Sequence, residues 1–521
     1  MRIGLTAMAA VFLTGVATPA LAQGNKVTEG KCAAFASRAL DDTVKITSAK
    51  HVDVTPAGTV QPGGPPLASP LPAHCRVEGI INERKGAGGK TYGIGFAIAL
   101  PDDWNGRFLL QGGGGLNGSV GFPAGPVASG DKPALARGFA VISHDSGHKG
   151  AGFDDSFMVD QRATLDFAET SVLTVATLGK KITIAYYGKP ISHSYMTGCS
   201  TGGREGMLAT QRYPELFDGV IVGAPAMRTG DSNLGQEYTQ VLFNQAAPKG
   251  PDGKPIIGQV LTAADRKTIL DGILEQCDAL DGLKDGVIEN VAQCKFQPAK
   301  LACKGKKADG CLSLGQVKAL ELGLAGPKDK AGYPIYTAMA ADTGIMSTPI
   351  GYLPTGGPGP FGPPSTATNI DLDARIHEIR NHAWQRLTDT NYWTTLNTYL
   401  DRGGKMIFYH GVSDFWFSPL ATLDYYERAT QVNGKAFTDA SRLYMVPGML
   451  HCGGGNSFEQ FDLLSKIVDW VEQGKAPEEV IAQRRPPSTE TRPLCPFPSH
   501  AEYVGGDTKV AGSFSCKRPK S

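Results

Sequence analysis

The chain has 521 residues, 41% of them hydrophobic, a formal net charge of +1 and ten cysteines. That length holds one large domain with an elaborate insertion, or roughly two to three average ones, and the apolar content is ample for a core. With no basic run beyond Lys304-Gly305-Lys306-Lys307, which reads as a solvated loop, neither nucleic acid nor another polyanion is expected as a partner.

The first 22 residues read as an export signal. Arg2 supplies the positive start, residues 3–16 an apolar stretch, and Ala20-Leu21-Ala22 a small-residue cleavage site before Gln23. No later window is apolar for long enough to span a bilayer, so the expectation is a periplasmic or secreted protein without membrane contact once the signal is removed. All ten cysteines follow the signal, an even number suited to an oxidising compartment, and no C-x-x-C pair points to zinc.

From residue 76 to 227 strand and helix signals alternate. Apolar runs at 96–100, 107–110 and 139–142 predict strands, and Leu165, Ala168, Val172, Val175 and Leu178 share one face of a predicted helix. Alternation of this kind predicts a mostly parallel sheet. The strand at 107–110 runs into Gly112-Gly113-Gly114-Gly115, which lacks the G-K-[ST] of a phosphate loop. Next, a strand at 191–197 and a helix opening at 202 flank Gly198-Cys199-Ser200-Thr201-Gly202. That segment matches the nucleophile elbow G-x-S-x-G, although in a chain with 66 glycines an ordinary Gly/Ser turn gives the same letters. A further strand is predicted at 219–225.

Between 228 and about 400 the periodicity degrades into Pro/Gly-rich loops, notably 351–364, with amphipathic pieces such as 375–387. Cys277 to Ile288 contains Asp278, Asp281 and Asp285 among glycines; on spacing alone it reads equally as a calcium-binding turn or a solvated acidic one, and it lacks the EF-hand pattern. Two strands then resume. The run at 405–410 ends in Gly411-Val412-Ser413-Asp414, and that at 443–446 ends in a glycine-rich loop carrying His451-Cys452. Ser200, Asp414 and His451 thus follow the chain order of an α/β-hydrolase, each in a loop after a strand.

Cys-Ser, Asp and His-Cys in this arrangement resemble the tannase/feruloyl esterase family of secreted α/β-hydrolases. The resemblance also covers residues 111–118, 144–148, 198–206, 411–419 and 447–455; it is specific at the site and loose in the middle. It implies an α/β class, α/β-hydrolase fold with a mostly parallel sheet and a large inserted lid: signal 1–22, core 23–227, lid 228–402 and core 403–521. It implies a bridge between Cys199 and Cys452 that clamps serine to histidine. With proximity in sequence, it further pairs Cys32 with Cys75, Cys277 with Cys294, Cys303 with Cys311 and Cys495 with Cys516. It also implies a structural calcium ion in the lid, held by the Asp278, Asp281 and Asp285 side chains and the Leu283 and Val287 carbonyls.

The residue types set the expected chemistry. His451, supported by Asp414, takes the Ser200 proton as the hydroxyl attacks an ester, and an acyl-enzyme is then released by water. Oxyanion donors are expected at the Thr201 N–H and at Gly114 or Gly115. The expected substrate is a small-molecule ester of an aromatic acid, feruloyl first, with galloyl esters and mono(2-hydroxyethyl) terephthalate as alternatives. Tyr352, Phe361, Trp384, Tyr392 and Trp393 are the aromatic wall candidates, and Arg228, Arg266, Arg375, Arg380, Arg386 and Arg402 are unranked candidates for binding a carboxylate. A serine peptidase with the same triad order, or an exported non-catalytic binding protein, are the readings from other classes.

Overall fold

Apolar strand runs in the sequence become one nine-stranded sheet. In a computed structural model, which describes residues 28–60, 66–347, 351–354 and 363–519, the strands are β1 (Val44–Val52), β2 (His74–Lys85), β3 (Thr91–Pro101), β4 (Arg107–Gln111), β5 (Ala140–His144), β6 (His193–Cys199), β7 (Gly219–Gly223), β8 (Lys405–Gly411) and β9 (Ser441–Val446). The expected export signal and Phe361 lie outside the described residues. Spatial order is β1-β2-β3-β5-β4-β6-β7-β8-β9. Pairing is antiparallel from β1 to β5 and parallel from there to β9, so the expected mostly parallel sheet is present with an antiparallel edge that strand–helix alternation did not signal.

Successive residues of the parallel strands feed opposite cores. Phe108, Leu110, Met196, Val220, Val222, Met406 and Phe408 pack into one cluster, while Leu109, Tyr195, Ile221 and Ile407 pack into the other. Both faces are therefore dry, which is why these strands read as unbroken apolar runs. The helix Ser171–Tyr187 covers the first face with Val172, Val175, Leu178 and Ile182, and the helix Leu463–Gln473 covers the second with Leu463, Leu464, Ile467 and Trp470.

One helix departs from its expected face. Leu165 is exposed, whereas Ala168, Val172, Val175 and Leu178 are buried. A π-helical turn at Asp166–Thr170 inserts between a short helix, Gln161–Leu165, and the long one, and rotates Leu165 off the stripe. Carbonyls in that turn are not wasted: the buried Arg204 guanidinium donates to Phe167 O at 2.9 Å and Ala168 O at 2.7 Å.

The chain between β7 and β8 contributes no strand to the large sheet among the described residues. It forms helices Thr229–Ala246, Ala263–Cys277, Leu314–Ala325, Leu372–Asn381, Ala383–Thr388 and Asn397–Asp401. Two are started by capping boxes, Thr262 with Asp265 and Ser313 with Gln316. The amphipathic piece expected at 375–387 is two helices broken at His382, whose ψ of 121° is extended. Five disulfides join Cys32–Cys75, Cys199–Cys452, Cys277–Cys294, Cys303–Cys311 and Cys495–Cys516, the pairing the resemblance implied. Strands at 460–461, 480–483, 491–494, 500–503 and 514–517 add two small sheets that were not anticipated. Among the described residues no helix is long and apolar enough to cross a membrane. A doubly covered sheet with an excursion between β7 and β8 is the expected α/β-hydrolase fold.

Candidate active site

Ser200 sits at the turn from β6 into the helix Thr201–Arg212, with φ 64° and ψ −122°. A non-glycine residue there costs on the order of 1–3 kcal/mol unless neighbours enforce it. They do: the Ser200 N–H donates to Gly223 O at 3.1 Å, and its carbonyl accepts from Arg204 N at 3.0 Å and Ala226 N at 3.1 Å. The turn is tight enough that a Cβ on Gly203 would lie 2.2 Å from Gly223 O, and one on Gly202 would lie 2.8 Å from Gly113 O.

Asp414 follows β8 and is fully buried. Its Oδ1 accepts the N–H groups of Trp416 at 2.8 Å and Phe417 at 3.0 Å, and its Oδ2 lies 2.7 Å from His451 Nδ1 and 3.1 Å from His410 Nε2. His410 Nε2 faces two acceptors, Asp414 and Phe417 O at 3.1 Å, so it carries the proton and Nδ1 accepts from the Thr422 hydroxyl at 2.8 Å. Burial pushes the Asp414 carboxyl up, but the charge of His451 and the hydrogen bonds from both histidines hold it well below the usual carboxylate range. An ionised Asp414 fixes the His451 tautomer with Nδ1–H towards the acid and Nε2 as the basic nitrogen. His451 Nε2 is buried and makes no hydrogen bond, so the Ser200–His451 contact is open; catalytic contacts of this kind commonly tighten only with substrate in place. The ring packs edge-on against Trp416, centroids 4.8 Å apart, and against Phe417 at 5.4 Å.

Two cross-links set the loops against each other. Cys199, beside Ser200, is bonded to Cys452, beside His451, with Cα atoms 6.0 Å apart and a sequence separation of 253. From the inserted segment, the buried Asp342 accepts the Ser413 hydroxyl and the Gly448 N–H, each at 2.7 Å, and so joins the Asp414 loop to the His451 loop. Nothing in the local sequence around Asp342 signals this contact.

In the glycine run, two amides are already used: Gly112 N–H donates to Thr197 O and Gly113 N–H to Glu205 Oε2, both at 2.9 Å. That leaves the expected Gly114 and Gly115. Gly115, with φ 55°, lines a cavity of about 270 Å³ together with Ser200 and Thr201. Leu116, Phe153, Phe167, Trp384, Trp416 and Phe417 supply the apolar wall, and Thr229, Asn233 and Thr388 polar groups.

Of the four aromatic candidates among the described residues, only Trp384 is on this wall. Tyr352 is a buried core residue, its hydroxyl bonded to Gly323 O at 2.6 Å and placed 2.8 Å from Thr239 Oγ1. Tyr392 and Trp393 are exposed and line a separate groove with Thr210 and Gln211. Phe153, Phe167, Trp416 and Phe417 were missed, although Trp416 and Phe417 stand two and three positions after Asp414. No arginine from the unranked set lines the cavity. Arg402 is held by Pro214 O, Phe217 O and Asp218, Arg375 by Glu237 and Glu378, and Arg228 by Asp231 and Ile335 O. A larger cavity, about 660 Å³ between residues 289–296 and the C-terminal strands, is lined by none of Ser200, Asp414 and His451.

The acidic segment folds as a 3-10 turn, Asp278–Asp281, followed by Gly282 and Gly286 at positive φ. Asp278 accepts Gly286 N–H at 3.1 Å, Asp281 accepts Leu283 and Glu289 N–H at 3.1 and 2.9 Å, and Asp285 accepts Val287 N–H at 3.1 Å and Arg492 at 2.6 Å. Burial, augmented by the charges of Asp285 and Asp278 against backbone bonds that oppose it, pushes Asp281 up to about 7. Among the described residues no three His, Cys, Asp or Glu side chains gather into a metal-holding group. The implied donors are all oxygen, as a hard cation requires, and the charges of the buried Asp278 and of Asp285 both oppose ionisation of the buried Asp281.

Comparison with known proteins accords with this geometry. The family model described as tannase and feruloyl esterase matches residues 75–356 and 364–517. A mono(2-hydroxyethyl) terephthalate hydrolase of Piscinibacter sakaiensis is 36% identical over 87% of this chain and 86% of its own length, and a probable feruloyl esterase of Arthroderma benhamiae is 30% identical over 81% and 82%. The crystal structure of feruloyl esterase B from Aspergillus oryzae superposes with a TM-score of 0.76 at 25% identity, covering 94% of this chain and all of that one. The chain belongs to the tannase and feruloyl esterase family and is a carboxylic ester hydrolase.

Proposed function

We propose that this enzyme hydrolyses esters of aromatic acids, feruloyl esters first, through an acyl-enzyme on Ser200. The observation that carries the reading is the aromatic wall that Phe153, Phe167, Trp384, Trp416 and Phe417 build beside the serine. His451 Nε2 takes the hydroxyl proton and returns it to the leaving alkoxide, Asp414 supports the imidazolium, and the N–H groups of Thr201 and of Gly114 or Gly115 receive the oxyanion. A terephthalate monoester is the second reading, favoured by the 36% identical relative. Against it, the one arginine on the wall, Arg204, is committed to two carbonyls, so no uncommitted cation among the described lining residues meets a substrate carboxylate. A hydrolysis panel of methyl ferulate, methyl gallate and mono(2-hydroxyethyl) terephthalate decides: kcat/KM highest for ferulate is expected, and preference for the terephthalate overturns the order. Cleavage of peptide substrates at comparable rates would instead favour a peptidase.

The reading includes export, supported by the signal-like residues 1–22 and by five disulfides. It also includes structural calcium at Asp278, Asp281 and Asp285 with the Leu283 and Val287 carbonyls, which would neutralise those carboxylates. Calcium addition should raise the melting temperature of chelator-treated protein with saturation; no shift, with no calcium by elemental analysis, would leave a solvated turn.

A further inference from the structure

Two side chains on the nucleophile helix, one turn apart, grip the glycine loop from opposite ends. The Thr201 hydroxyl donates to Gly115 O, and the Glu205 carboxylate accepts the Gly113 N–H at 2.9 Å. Between them, Gly202 N–H donates to Gly113 O at 2.9 Å. Positions 201 and 205 lie on one helix face, so a single rigid element carries the nucleophile and holds the loop opposite it. Glu205 is fully buried and otherwise faces Asn117 Nδ2 and Ser146 Oγ, each at 3.5 Å, and His144 Nε2 at 3.8 Å. It has no route to substrate, and the triad makes no use of it. A buried carboxylate on the nucleophile helix, aimed at the backbone of the loop expected to bind the oxyanion, needs a reason other than packing.

We propose that Thr201, through its side chain, and Glu205 are positioning residues that fix the Gly112 to Gly115 loop relative to Ser200, so that the oxyanion donors are aimed before the ester arrives. The proposal rests on the serine-esterase reading above. Donors of this kind accelerate the reaction because they need no reorientation as charge develops, so loosening the loop weakens the charged transition state and leaves ground-state binding of the aromatic acid almost untouched. Thr201 serves twice: its N–H faces the oxyanion, and its hydroxyl immobilises the loop that provides the second donor.

The test compares Thr201→Val, which keeps the shape and removes the hydroxyl, with Thr201→Ser, which keeps the hydroxyl, and with Glu205→Gln, all in the full chain. Measured are kcat on methyl ferulate, the second-order rate of inactivation by an organophosphonate, the inhibition constant of ferulate, and the melting temperature. Thr201→Val is expected to lower kcat and the inactivation rate together by about ten- to a hundredfold, with the ferulate constant and melting temperature near wild type. Thr201→Ser should recover most of the loss, and Glu205→Gln should follow Thr201→Val in kcat. Wild-type kcat in Thr201→Val, or equal loss in Val and Ser variants, overturns the proposal. A fall in kcat matched by a weaker ferulate constant does so too, since that is general loosening of the pocket. Should Glu205→Gln fail to fold, the threonine pair decides alone. Full activity in Ser200→Ala would instead overturn the acyl-enzyme on Ser200 on which the proposal rests, so the two failures are distinct.

Discussion

The sheet and the segment inserted between β7 and β8 are held by different forces, and they supply different parts of the site. Ser200, Asp414 and His451 stand just beyond the ends of β6, β8 and β9, where parallel register fixes the height of each loop. Insertion residues are fixed by side chains: Cys277–Cys294, Cys303–Cys311, the Asp342 bridge to Ser413 and Gly448, and the Arg228–Asp231 pair. Their share of the cavity is Thr229, Asn233, Trp384 and Thr388. Backbone register therefore secures the reacting groups, and a scaffold whose fastenings can be exchanged one at a time shapes the substrate wall.

The sharpest break in this comparison comes from the sheet side. Ser200→Ala and His451→Ala should each lower kcat by about 10⁴- to 10⁶-fold, and Asp414→Asn by about 10⁴-fold, because the three act as a unit. Thermal unfolding monitored by circular dichroism should show Ser200→Ala as stable as the parent. The next effect tests whether register suffices without a cross-link. Replacing Cys199 and Cys452 together by Ala should cost about ten- to a hundredfold in kcat, measured well below the variant's own melting temperature, since the elbow and the histidine loop would keep their strands but lose their mutual reference. The loop closed by this bridge spans 253 positions, for which the chain-entropy model gives a stabilisation of at most about 5 kcal/mol. Unchanged kcat would mean that Asp342 and the sheet already position the pair.

A smaller effect belongs to the insertion. Trp384→Ala should raise KM for methyl ferulate about tenfold, near 1.4 kcal/mol of binding, and leave kcat close to wild type. Tyr392→Ala and Trp393→Ala should change neither, because both side chains face another groove. A Tyr392 variant with impaired KM would show that the wall extends further across the insertion than the cavity beside Ser200.

What was legible in the sequence follows the same divide. The elbow, Asp414 and His451 could be read because buried parallel strands leave apolar runs that stop abruptly at glycine-rich loops, as at Lys405–Gly411. β1 and β2 could not, since their residues alternate between core and solvent: the run Val44–Val52 keeps no residue fully buried. Leu165 was misassigned because a π-helical turn adds a residue that a 3.6-residue period does not contain. Tyr352, Tyr392 and Trp393 were misassigned because aromatic character is shared by core, wall and surface, and only tertiary packing separates them. Trp416 and Phe417 carried a usable signal in their position beside Asp414, whereas Asp342 lies 72 positions upstream of Asp414 and carried none.

The smallest expected effect concerns a support on the sheet side that is electrostatic and not set by register. Asp160 accepts the Ala163 N–H at 2.9 Å and so caps the short helix before the π-turn; it also accepts Ala87 N–H at 3.0 Å and pairs with Arg84 on β2. The Arg84 hydrogen bond, opposed by partial burial and aided by the two backbone donors, holds the Asp160 carboxyl well below its usual range. A depressed folded value means that the contribution to stability is fully present above the unfolded value near 3.8 and fades as pH falls through the folded one. Asp160→Asn should therefore melt lower than the parent at pH 6, by a few degrees at most, ~2 °C per kcal/mol in a chain of this size, and the gap should narrow as both proteins are taken towards pH 3. Phe167, on the cavity wall, packs against Phe157 with centroids 5.4 Å apart, immediately beside this cap. In Asp160→Asn assayed at pH 6, loosening beside the cap should then appear in KM before kcat. A gap that is constant from pH 6 to 3 would show that Asp160 acts by shape and hydrogen bonding alone, and the sheet side would owe its wall, like its triad, to backbone register.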